Sequence, residues 1–194
     1  MTRRGTGERK QDIIKAVLHL IGELGIQGVT MARIAEQVGL TEAALYRHFH
    51  GKLDIVGATI DTAFDELVEV LELSEAGGDA FERLRSALLA HLEFIERQPG
   101  MARILFSDEV HFNSERLKQK LVERGKQVGS RIATIIRDGK AAGTFKADLD
   151  VQSTVMLYRG IVHAHVMLRT TGMYKDVGSF RQGVWELFRR AIEA

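Results

Sequence analysis

The side chains able to do chemistry are limited in kind. The chain holds seven histidines, 26 acids and 27 Lys/Arg, but no cysteine. Without cysteine there is no disulfide, thiolate zinc site or cysteine nucleophile. His48 and His50, like His163 and His165, stand two apart, which places each pair on different sides of a helix. Neither pair has the i, i+4 spacing of a helical zinc site, and His19, His91 and His111 stand alone. The carboxylates fall in helix-like runs, with no nucleophile elbow, phosphate-binding loop or G-x-G-x-x-G segment. No catalytic residue, metal or cofactor is expected, and the chain does not read as an enzyme. One pair invites a ligand. Arg159 and His163 lie four apart in an apolar segment, and a buried cation needs an anion. That anion is either a carboxylate or phosphate of a ligand, or an acid from a neighbouring helix or subunit. Phe64, Met101, Phe106, Phe112, Met156 and Tyr158 either line an apolar pocket or serve as core.

The densest polar grammar lies in residues 29–52, VTMARIAEQVGLTEAALYRHFHGK. Thr30 and Thr41 are placed to N-cap two short helices, because a hydroxyl accepts a bond from an orphan N–H of the first turn. Gly39 ends the first, since glycine takes the left-handed conformation cheaply. Ala32, Ile34, Ala35 and Val38 supply its apolar contacts, and Leu40 plugs the turn. A short helix, a glycine turn and a second helix form a unit that enters a DNA major groove. Over 41–49, Ala43 and Ala44 are expected at the exposed start, where small side chains let the backbone approach DNA. The hydroxyls of Thr30, Thr41 and Tyr46 suit phosphate oxygens, and Arg33, Arg47 and Lys52 add charge. Glu42, favourable at a helix N-terminus, and His48 complete the expected DNA-facing set. Arg3 and Arg4 are either a minor-groove arm or a solvated tail.

The pattern T-x-x-x-I-A-x-x-x-G-L-T-E-A-A-L-Y-R-H-F-x-x-K, from Thr30 to Lys52, resembles the DNA-binding domain of TetR-type transcriptional regulators. The resemblance covers about the first quarter of the chain. It implies an all-α fold, with a three-helix head over 1–51 and a helical ligand-binding and dimerisation domain over 52–194. It implies a ligand-responsive repressor that acts as a homodimer on near-palindromic double-stranded DNA, with a small apolar or amphipathic effector. Dimerisation would pair the last two long helices, within residues 148–194. The segment ERQPGMARIL, 96–105, with 42–49, is also similar to nucleoid-occlusion factors, TetR-fold proteins that bind DNA and the division machinery. That makes a DNA-bound interaction protein the alternative.

The elements that must position these residues follow from periodicity. Apolar residues at three- and four-residue intervals predict helices over 8–24, 52–73, 79–98, 101–106, 115–142, 148–168 and 175–194. Pro99-Gly100 is expected to end the helix before it, and 107–113 to be a connection. The segment 148–168 is apolar on nearly every side, so it should be buried all round. The head is basic: residues 1–52 hold eight Lys/Arg and five acids, whereas 53–75 hold seven acids and no base. Such an asymmetry would turn the head toward a polyanion and the acidic helix away. No apolar run reaches membrane-spanning length, and a cytoplasmic location is expected.

Overall fold

The computed structural model describes residues 6–173 and 177–194. Within them the chain is helical, as expected: α1 (Thr6–Gly28), α2 (Met31–Val38), α3 (Glu42–Tyr46), α4 (Lys52–Ser74), α5 (Ala80–Arg97), α6 (Pro99–Leu105), a π-helical turn (Glu109–Asn113), α7 (Glu115–Ala141), α8 (Val151–Thr170) and α9 (Val177–Ile192). Two boundaries differ from expectation. Pro99 opens α6 rather than closing α5, because proline lacks only an N–H that the first turn leaves unbonded anyway. The segment read as a plain connection contains the π-helical turn. No described helix is long and apolar enough to cross a membrane. The chain packs as two compact units, one comprising residues up to Asp65 with Gln98–Arg124, the other Glu66–Arg97 with Gly125–Ala194.

The first unit is built on α1. Ile13, Ile14, Val17 and Ile21 are all buried, as their spacing predicts. Gly25, at φ 69° and ψ 168°, interrupts α1 where the sequence placed its end. Helix α6 lies against α1 at backbone distance. A Cβ added to Gly100 would stand 2.1 Å from the Leu18 carbonyl oxygen, and one added to Gly22 would stand 3.2 Å from the Gly100 nitrogen. The acidic start of α4 is not a bare surface. Asp54 pairs with Arg116 at 3.1 Å, Asp61 with Lys120 and Arg124, and Asp65 with Arg124 at 3.0 Å. The acidic excess counted over 53–75 is therefore partly offset by bases about sixty residues later, where local charge counting does not look.

In the second unit Glu72 and Glu75 are likewise paired, both with Arg131. Helix α5 opens with a capping box: the Asp79 N–H donates to Glu82 and the Glu82 N–H to Asp79. Leu84, Leu88, Leu92, Ile132, Ile136, Val162 and Phe188 are buried. Helix α8 is not covered all round within this chain. Val155, Tyr158, Val162 and Val166 face inward, but Met156, Leu157 and Met167 are exposed, as is Leu187 on α9.

Gly100→Ala tests the α1–α6 approach. The obstacle is a backbone carbonyl that no rotamer change removes, so overpacking should cost about 1–3 kcal/mol, although alanine favours helices over glycine. Gly57→Ala is the control, since its added Cβ meets only the flexible Lys120 side chain at 3.4 Å and Leu117 at 3.6 Å. Thermal unfolding should show a clearly lower midpoint for Gly100→Ala alone. Equal midpoints would contradict the contact.

Candidate nucleic-acid interface

Residues 29–52 fold as their caps dictate. The Thr30 side chain accepts from the Arg33 N–H at 3.2 Å, and the Thr41 side chain from the Ala44 N–H at 3.2 Å. Each hydroxyl accepts in its cap, which leaves its own hydrogen to donate outward. Gly39, at φ 65°, closes α2: its N–H reaches the Glu36 carbonyl and the Leu40 N–H the Ala35 carbonyl. That bond pattern tightens the turn between α2 and α3. Arg33 is steadied by a 2.7 Å bond from its guanidinium to the Gly28 carbonyl.

Helix α3 turns one face inward and one outward. Leu45 is fully buried and Phe49 nearly so, with the Lys10 ammonium 5.1 Å from the Phe49 ring centre. Thr41, Glu42, Ala43, Tyr46 and Arg47 are exposed, while His48 and Lys52 are half-buried. Three expectations need correction. Ala44 is 7% exposed, so its methyl group packs into the head. Neighbours on a helix are a hundred degrees apart, and Ala44 falls beside Leu45 on the inner side. The second helix also ends at Tyr46, and 47–48 form a turn. Ala32, expected as a core contact, is exposed. The link to α4 is fixed by the His50 N–H donating to Asp54 at 3.1 Å. That bond, with Arg116 beside it, holds the Asp54 carboxyl below the usual range. Arg3 and Arg4 lie outside the described residues.

The expected ligand residues divide between the units. In the first, Phe64 and Met101 are buried, whereas Phe106 and Phe112 are exposed, Phe112 at 83%. In the second, Met156 is exposed, Arg159 half-buried and His163 exposed. His163 and Arg159 do meet, but through a ring nitrogen 2.9 Å from the Arg159 carbonyl. The Arg159 guanidinium lies over Gly125 of α7, with no acid partner among the described residues. The reading of this pair as a buried site is therefore corrected: in α8 the buried polar residues are Thr154, Tyr158 and His165.

Those two rings belong to clusters that sequence reasoning missed. The Tyr158 hydroxyl donates to the Ala87 carbonyl at 3.2 Å, so His91 Nδ1, 3.1 Å away, must donate to the phenol oxygen. Burial pushes the His91 pKa down to about 3 and raises that of Tyr158, so both stay neutral. His165 Nε2 stands 2.9 Å from Glu96, at an angle that forms no aligned hydrogen bond. Burial lowers its pKa, against the attraction of Glu96. His91 was findable, because it falls in the register of Leu84, Leu88 and Leu92. The Glu96–His165 contact had no such signal. Among the described residues no cluster could hold a metal ion.

Comparison with known proteins agrees with this geometry. Residues 13–59 match the family described as "Bacterial regulatory proteins, tetR family", and residues 77–167 match "Tetracyclin repressor-like, C-terminal domain". The chain is 31% identical over 189 residues to a Nucleoid occlusion factor SlmA of Vibrio atlanticus, covering 95% of this chain and 96% of that one. It is 31% identical over 134 residues to the SlmA of Vibrio vulnificus, covering 68% of each. Among solved structures, the fatty acid degradation regulator FadR of Bacillus halodurans aligns with a TM-score of 0.84 at 18% identity over 97% of each chain. FadR of Bacillus subtilis, solved in complex with stearoyl-CoA, aligns at 0.81 and 23% identity over 92% of this chain and 96% of that one. At such identities the solved structures speak for the fold alone.

Two substitutions separate backbone anchoring from base reading. If Tyr46 donates to a phosphate, Tyr46→Phe should weaken binding to all DNA sequences alike, by roughly threefold to tenfold. Ala43→Gln should instead change which bases are preferred. Titration against a randomised duplex pool reads both, and unchanged affinity and preference in both variants would remove α3 from the interface.

Proposed function

The chain belongs to the TetR family of bacterial regulatory proteins, and from that premise we propose a ligand-responsive, homodimeric repressor that reads near-palindromic double-stranded DNA. The observation that carries the reading is the doubly capped α2–turn–α3 unit with Ala43, Tyr46 and Arg47 on its outer face. Residues 1–51 act as the DNA-binding head and 52–194 as the dimerisation and effector domain. Two heads place α3 in successive major grooves about 34–36 Å apart. Met156, Leu157 and Met167 of α8 and Leu187 of α9, exposed in the single chain, are the apolar surface that a second copy would cover. The protein works in the cytoplasm, where its DNA is.

A small amphipathic effector is supported by the half-buried Arg159, which has no acid partner among the described residues and is suited to an anionic group. The Bacillus subtilis neighbour, solved with stearoyl-CoA, is an amphipathic-ligand precedent on this fold. Helix α4 contributes to both compact units. An effector that favours one placement of α4 shifts the dimer between geometries that do and do not match the operator spacing.

The second reading is a nucleoid-occlusion factor, favoured by the SlmA relatives that span almost the whole chain and by the segment 96–105. In-vitro selection of genomic fragments at near-physiological salt separates the two, salt being held fixed because phosphate contacts weaken as it rises. Strong palindromes at a few promoters are expected for the repressor. Sites scattered within genes, with DNA-dependent co-sedimentation of the tubulin-like division protein, would replace it with the second reading. No enrichment would count against both.

A further inference from the structure

Helices α5 and α9 of the second unit border an open cleft of about 540 Å³. Arg85, Leu89 and Glu93 line it from α5, and Arg181, Gln182, Trp185 and Glu186 from α9. The three α5 residues recur every four positions, so they form one stripe about 12 Å long. The floor is apolar: Trp185 is 5% exposed and packs edge-on against Phe188, with Leu89 opposite.

Three of the four charged side chains that line the cleft are already paired. Glu93 is paired with Arg97. Arg189 bridges Glu186 and Glu193. Arg181 and Arg169 share the single carboxylate of Glu96. Arg85 has no acid partner among the described residues and is exposed at the rim. Of the four charged side chains that line the cleft, Glu93, Arg181 and Glu186 are thus paired, and Arg85 is left beside an apolar floor without an acid partner among the described residues. Burying apolar surface supplies affinity, and a cation at the rim of such a floor selects an anionic head group.

We propose that the α5–α9 cleft is a binding site for a small amphipathic monoanion, a medium-chain or aryl carboxylate whose apolar body lies on Leu89 and Trp185 and whose carboxylate meets Arg85. The site is separate from the Arg159 region and does not depend on the DNA-binding reading, since occupancy is measured without DNA. Trp185 is the only tryptophan of the chain, so its emission reports the cleft directly.

The test titrates the purified full chain with octanoate, 1-octanol and octylamine up to millimolar concentrations, following Trp185 fluorescence. Octanoate should give a saturable shift, and Arg85→Gln, at an exposed position, should weaken it by roughly fivefold. Octanol should bind more weakly and be indifferent to that substitution, and octylamine should bind worst. Circular dichroism confirms that the variant folds. A wild-type chain with no saturable response to octanoate overturns the proposal, as does equal binding of octanoate and octylamine, or equal octanoate affinity in wild type and Arg85→Gln.

Discussion

Between the carbonyl of Leu18 and the α-carbon of Gly100 there is no room for a methyl group. Helices normally meet through side chains at 8–10 Å between axes, whereas here backbone meets backbone, with Gly22 on the opposing side. The contact joins α6, a segment far along the chain, to the helix that supports α2 and α3. A head of three short helices would be a small core by itself, and small cores are marginal. Adding α6 and the start of α7 enlarges the body that keeps α3 oriented. Because the approach is set by covalent backbone, it tolerates little sliding.

Ion pairs complement this packing without replacing it. Asp61 takes both Lys120 and Arg124, and Asp65 shares Arg124. Exposed pairs contribute little stability each, about 0–1 kcal/mol, so their effect is chiefly on register: they fix which turn of α4 lies beside which turn of α7. They also offset part of the acidic field that the sequence suggested next to the basic head. On the proposed reading, the groups that attract DNA are local: Arg33, Arg47, Lys52 and the outward hydroxyls of the caps.

Local chemistry was legible in the sequence. Thr30, Gly39 and Thr41 act within a few residues of themselves, so type and spacing were enough. What escaped depended on partners distant in sequence. The pairing of 54–75 with α7, the glycine contact of Gly100, and the Glu96–His165 contact each join segments tens of residues apart. Ala44 was misread for a different reason. Its size suited a DNA-facing position, but rotation along α3 puts it beside Leu45. Helix α8 was legible as too apolar for one chain, and its outer flank shows that excess as exposed Met156, Leu157 and Met167.

On the proposed reading two heads share one operator, and their spacing along the duplex is the feature that carries it. Hydroxyl-radical footprinting of the purified protein on a selected genomic fragment measures that spacing most directly. Two protected patches on one face of the duplex, related by a dyad and a whole number of helical turns apart, are predicted for paired α3 helices. A single half-site patch, or uniform protection along the fragment, would contradict a dimer that reads DNA through two helix-turn-helix heads.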